Sequence, residues 1–239
     1  MTGMIAMIGG HGYFGMLIFM IPGLLLGIYA QMKLSGTYSR YSREMTGNGI
    51  SGAEAAREIL DRAGLGSMPV EVTAGHLTDH YDPMKKALFL SQENYSGRSL
   101  AAVGVAAHEA GHALQHKAAY FPLHFRMALV PITNIATQAA VFMSFFGFAL
   151  GFAKWVMAGV IIYGVLFLFQ LITLPVEFDA SSRAKKQLLS LGLVRDGEEA
   201  RGVSKVLSAA AMTYVAAMIT ALLQFLYFFL RMRASERES

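Results

Sequence analysis

Four long stretches without a charged side chain constrain this chain more than any other feature. Residues 1–32 carry no Lys, Arg, Asp or Glu, and Tyr13–Met32 is their apolar part. Residues 127–153 are uncharged between Arg126 and Lys154, residues 155–176 between Lys154 and Glu177, and residues 206–230 between Lys205 and Arg231. Each is at least as long as the roughly 20 residues a helix needs to cross the hydrocarbon core of a bilayer. A helix in water rarely runs so far without charge, because one of its faces must be hydrated. Charged residues make up only 15% of the chain and hydrophobic ones 54%, in keeping with membrane spans. The first stretch has neither a basic n-region nor a small-x-small cleavage site, so it reads as a retained span rather than a signal peptide.

The spans divide the chain into a first transmembrane helix (1–34), a polar region (35–126), second and third transmembrane helices (127–153 and 155–176), a connection (177–205), a fourth transmembrane helix (206–230) and a tail (231–239). Of the 20 Lys and Arg residues, 16 fall between Lys33 and Arg126 or between Glu177 and Lys205. Basic residues gather on the cytoplasmic side of spans, so both polar regions are expected there. The basic tail then falls outside, against the same rule. Net charge is +4 and the pI about 9.3. No basic helix with interleaved aromatics is present, so the expected partner is the lipid bilayer and not nucleic acid. The chain has no cysteine. Any metal must therefore be held by His, Asp or Glu, and disulfides are excluded.

The first polar region reads as a small α+β unit. Ser51 and Glu54 form a capping box signature; Ala55, Ala56, Ile59, Leu60 and Ala63 recur at helical spacing, and Gly64 is placed to end the helix. "VEVTA" from Val70 alternates as a strand does, and "ALFLS" (Ala87–Ser91) is a second strand candidate. Asp82-Pro83 marks a turn. An alanine-rich helix is expected over 99–117. After Pro175, residues 176–191 read as a helix closed by Gly192.

Within the alanine-rich helix lies "HEAGH", with His108 and His112 four residues apart. That spacing puts both imidazoles on one helical face, about one turn apart. There they can share one zinc ion, while Glu109 projects beside them to take a proton from water. A catalytic zinc site needs a third protein ligand and an open fourth position. The extended pattern HExxHxxGxxH fails, because its last position is Ala118. His116 continues the four-residue step, but three such positions span roughly 12 Å of helix, too far for one ion. It reads instead as a helix-end residue. A carboxylate from a separate helix remains, and Glu177 and Asp179 are the candidates.

Five segments in order carry a broader resemblance: "AGHLTDHYDP" from Ala74, "GVAAHEAGHALQH" from Gly104, "LVPITNI" from Leu129, "TLPVEFDASSRA" from Thr173 and "VLSAAAMTYVAA" from Val206. Together they resemble the YugP-type membrane zinc metallopeptidases, bacterial proteins of the neutral zinc metallopeptidase family, and more distantly the HtpX-like membrane gluzincins. The resemblance implies a mainly α, four-helix transmembrane protein with a small α+β zincin-like domain carrying the HExxH helix. It implies a zinc-dependent endopeptidase of the bacterial cell membrane, with one zinc ion on His108, His112 and Glu177 and Glu109 as base. Those distant relatives carry an acidic residue four positions after the ligand glutamate. Here that place is Ser181, which leaves open what orients the histidines; Asp179 is one possibility. Arg183 is placed to pair with a carboxylate near the site. In gluzincin-like enzymes a strand placed as Ala87, Leu88, Phe89, Leu90 and Ser91 are can bind substrate backbone at its free edge.

Other residues carry weaker signals. His76 and His80 suit the active-site rim or an oxyanion contact, or equally loop hydrogen bonding. Tyr81 and Tyr214 could donate to an oxyanion. His11 and His124 read as structural or exposed. Asn134, Thr137 and Gln138 suit bonds between helices or a water path. The expected substrate is a membrane protein or unfolded segment near the cytoplasmic surface. The alternative is a non-proteolytic membrane scaffold whose zinc is closed by a fourth protein ligand, His116 or Asp179. The sequence does not speak to oligomeric state.

Overall fold

The computed structural model of the chain describes residues 12–150 and 153–238. Residues 1–11 of the expected first span, with His11, residues 151–152 of the second and Ser239 lie outside the described residues. The described chain is mainly helical, with one small sheet. It falls into two compact units: one built from Gln31–His124 and Pro175–Met212, the other from the segments up to Ala30, Phe125–Leu174 and from Thr213 onward.

Four long helices carry the apolar runs: α1 (Gly12–Tyr41), α5 (Phe121–Leu150), α6 (Ala153–Ser190) and α7 (Glu198–Glu238). Three of them hold stretches long and apolar enough to cross a membrane: Ile18–Tyr41, Val156–Ser190 and Glu198–Ala234. Helix α5, over the expected second span, carries Thr133, Asn134, Thr137 and Gln138 among its apolar residues. The Thr133 and Thr137 hydroxyls bond back to Leu129 and Thr133 carbonyls of their own helix, both at 2.9 Å, and so satisfy themselves locally. Large apolar side chains lie exposed along these helices, among them Leu24, Leu25, Ile135 and Ile161. Apolar surface of that kind is costly in water and costs nothing against hydrocarbon. Two boundaries differ from expectation. Helix α6 continues unbroken through Pro175, and α7 runs on through the expected tail to Glu238. A proline interior to a helix removes one backbone hydrogen bond, and the neighbouring turns can carry it within a long helix.

The remaining elements belong to the unit that holds the HEAGH segment. Helix α2 (Gly52–Arg62) starts at the expected capping box: the Ser51 N–H donates to Glu54 Oε2 at 2.8 Å, and the Glu54 N–H donates to Ser51 Oγ at 3.3 Å. Gly64 follows it at φ +68°, the left-handed conformation that closes a helix and favours glycine. Strands β1 (Val70–Thr73), β2 (His80–Asp82) and β3 (Ala87–Ser91) form a sheet of order β1-β3-β2. Strand β1 runs parallel to β3, pairing Val70 with Leu88, and β2 runs antiparallel, pairing His80 with Phe89. The short helix α3 (Gln92–Ser96) and the HEAGH helix α4 (Leu100–Lys117) follow, the latter capped by the Ser99 hydroxyl.

The sheet corrects one expectation. Ala87, Leu88, Phe89, Leu90 and Ser91 were expected to offer a free edge to substrate, but β3 is the central strand. Strand β1 pairs with Leu88–Ser91 on one side, and β2 with Ala87–Phe89 on the other. The free edges belong to β1 and β2. The sequence hid this because β2 is only three residues long and its residues read as turn.

Helix α4 is buried along most of its length. Its small residues let neighbours come close: Ala101, Ala106, Ala107, Ala110 and Ala113 pack with Ile59, Leu60, Leu90 and Leu188 in one core. Of its two glycines Gly111 is the more closely approached: an added Cβ would meet the carbonyl oxygen of Ala180 at 2.6 Å. The glycine of HEAGH therefore sets how near α4 lies to α6. Gly111→Ala is expected to force the two helices apart and destabilise the protein by about 1–3 kcal/mol. A fall in unfolding temperature in detergent checks this; an unchanged temperature would refute the close approach.

Candidate metal centre

Helix α4 presents His108 and His112 one turn apart, with ring centroids 4.8 Å apart and planes at 82°. Helix α6 brings Glu177 to them. Its Oε2 lies 3.1 Å from His108 Nε2 and 3.6 Å from His112 Nε2. One ligand atom from each of the three lies within 4.8 Å of the others, the geometry of a group that could hold a metal ion. Glu177 is only 1% exposed, and Glu109 and His112 are buried with it. A buried carboxylate is expensive without a compensating charge.

The opposite edges of both imidazoles are tied down. Ser181 Oγ lies 3.1 Å from His108 Nδ1. His112 Nδ1 lies 3.0 Å from Gln115 Oε1. Gln115 has no freedom to turn around: its amide nitrogen donates to the Val176 carbonyl at 2.7 Å and to Asp179 Oδ2 at 2.8 Å. Its carbonyl oxygen must therefore accept the Nδ1 proton of His112, so Nε2 is the ring nitrogen that faces Glu177 and that a metal would take. Arg183 completes the chain by donating to Asp179 at 2.6 Å. Burial disfavours a charged His112, but the hydrogen bond to Glu177 and the charges of Glu109 and Glu177 outweigh it and raise its pKa. The field that favours a proton there also favours a metal cation.

Two imidazole nitrogens and one carboxylate oxygen, with both Nδ1 edges fixed from behind, make a donor set that suits zinc with a further position open. Glu109 lies on the sheet side. Its Oε2 accepts the Tyr81 N–H at 2.9 Å, so strand β2 fixes this carboxylate. The connection leading into β2 is anchored by Asp79, which accepts from the Ser91 N–H and the Asn94 amide, both at 2.8 Å.

The structure brings together His108, Glu109, His112, Glu177 and Ser181 and sets the other candidates apart from the three-residue group. Asp179 reaches Gln115 and Arg183 rather than a histidine, so it acts on His112 only through Gln115. His116 Nδ1 lies 2.7 Å from the Tyr81 hydroxyl, which gives both groups a partner outside the cluster. His76 pairs with Glu93 and packs edge-on against Tyr38. His80 stacks on Phe89 with its Nδ1 2.8 Å from the Thr78 carbonyl. His124 stacks edge-on with His116. Sequence reasoning passed over Gln115. Its signal was present: it lies three residues after His112 and seven after His108, on the same face of the helix.

Comparison with known proteins also points to zinc. A family model described as "Putative neutral zinc metallopeptidase" matches residues 16–233. The curated "Putative membrane protease YugP" of Bacillus subtilis (strain 168) is 47% identical over 208 residues, covering 87% of this chain and 92% of that protein. No solved structure matches the chain.

If Gln115 orients His112, Gln115→Leu should weaken divalent-metal binding roughly 10–100-fold. Titration of the apoprotein with zinc measures this, and unaltered affinity in a folded variant would exclude the positioning role.

Proposed function

Because the chain belongs to the neutral zinc metallopeptidase family, we propose that it is a membrane-embedded zinc endopeptidase of the HExxH, gluzincin-like kind. In this reading His108, His112 and Glu177 hold one zinc ion, and the convergence of His108 Nε2, His112 Nε2 and Glu177 Oε2 carries the proposal. Zinc bound there supplies Lewis acidity, lowering the pKa of water and polarising a peptide carbonyl. Glu109 takes up the proton of the attacking water and passes it to the departing amine. Its bond from the Tyr81 N–H fixes the carboxylate during that transfer. Gln115 holds His112 in the tautomer that coordination needs, and Ser181 steadies the ring of His108.

The zincin-like region over 35–126 and the ligand-bearing segment over 177–205 are read as cytoplasmic, between four spans at 1–34, 127–153, 155–176 and 206–230. The substrates are peptide bonds of membrane proteins or unfolded segments near that surface. The scaffold alternative, with zinc closed by a fourth side chain, is less well supported. His116 is engaged with Tyr81, and Asp179 with Gln115 and Arg183.

Two variants separate these readings. Glu109→Gln should keep zinc and lose casein-type cleavage at least 100-fold, as removal of a general base does. Glu177→Ala should lose zinc along with activity. Cleavage surviving in Glu109→Gln removes the hydrolytic mechanism, and full zinc content in Glu177→Ala removes the third ligand.

A further inference from the structure

A second site lies apart from the metal centre, where the polar ends of α1 and α7 meet within one compact unit. A cavity of about 600 Å³ opens there. Lys33 and Arg40 line it from α1, and Arg201 and Lys205 from α7, with the hydroxyls of Thr37 and Ser204 between them. Among the described residues that line it, none is acidic. Arg40 has a surface ion pair with Glu44 at 3.3 Å and lies over the Tyr41 ring, but an exposed pair of that kind is weak and exchanges readily.

Basic residues near span ends are ordinary, and their number alone would mean nothing. Their arrangement is different. Lys33 and Arg40 are seven residues apart and Arg201 and Lys205 four apart, so each pair shares one helical face. The two pairs come from segments more than 160 residues apart in sequence and face the same cavity. An anion placed among four like charges lowers their mutual repulsion. The hydroxyls add hydrogen bonds of the kind that phosphate oxygens accept.

The cavity also sits at a particular depth along both helices. Lys33 is the first charge after the uncharged residues 1–32, and Lys205 is the last before the uncharged residues 206–230. Ala209 and Met212 continue the lining into that second apolar run. The cavity thus reaches from the basic ends of both helices into an apolar run, with Lys33, Ser208, Ala209 and Met212 all in its lining. This is the profile of a phosphate attached to an acyl chain rather than of a soluble ion.

We propose that this cavity binds the phosphate headgroup of an anionic phospholipid, with Lys33, Arg40, Arg201 and Lys205 as its cationic contacts. The site is independent of the zinc chemistry and stands whether or not the chain cleaves peptides.

The test uses the full-length protein in a non-ionic detergent, with bound lipid counted by native mass spectrometry. Dioleoyl-phosphatidylglycerol and dioleoyl-phosphatidylcholine are titrated separately. The wild type should bind the anionic lipid at least tenfold more tightly. Each cation removed should cost that lipid roughly fivefold in affinity, so R201Q/K205Q should largely erase the preference while leaving phosphatidylcholine binding unchanged. Equal binding of the two lipids by the wild type, or a preference intact in R201Q/K205Q, overturns the proposal. If that variant unfolds, Lys33→Gln on the other helix provides the same reading. Inorganic phosphate is the third probe. If it binds as tightly as phosphatidylglycerol and displaces it, the site serves a soluble anion and the lipid assignment falls.

Discussion

The buried carboxylate of Glu177 is the constraint around which the metal-centre unit is organised. At 1% exposure it cannot rely on water to stabilise its charge. The two imidazole Nε2 atoms beside it supply the compensation, and they can do so only if their far edges are held. That requirement explains Ser181 behind His108 and Gln115 behind His112. It also explains the outer chain of Val176 carbonyl, Asp179 and Arg183, which denies Gln115 its other orientation. Each polar group at the centre has a partner whose own geometry is fixed by the next.

Close packing of two helices makes that chain possible. Side chains as short as serine can span from α6 to an imidazole on α4 only where the backbones nearly touch. Gly111 and Ala180 provide that approach. The alanines of α4 extend it along the core, where they trade side-chain volume for proximity. A larger residue at Gly111 would disturb the ligand geometry without touching any ligand. On the opposite side the sheet performs a comparable task for Glu109. Asp79 ties the connection ahead of β2 to Ser91 and Asn94, and β2 then places one backbone N–H against the carboxylate.

The metal centre and the cationic cavity use different helices in a comparable way. In α6 an apolar run leads without interruption into Glu177, Asp179 and Ser181, so one continuous helix carries both the apolar run and these residues. In α1 and α7 the change from apolar to basic residues creates the cationic cavity. In each case chemistry appears within a few residues of the point where the hydropathy changes.

Local pattern determined much of this protein before any fold was known. Uncharged runs identified the long helices, the Ser51 and Glu54 pair marked the start of α2, and the four-residue step placed His108 and His112 on one face. These features depend on residues within a turn or two of each other, which is why periodicity reveals them. Spacing alone left Glu177 and Asp179 as rival third partners, 69 and 71 residues after His108. Tertiary packing chose between them, because only Glu177 faces the imidazoles when α6 lies against Gly111. Packing likewise gave Gln115 its role and put β3 in the middle of the sheet. Such pairings are set by which surfaces meet across long sequence separations, and no local pattern records that.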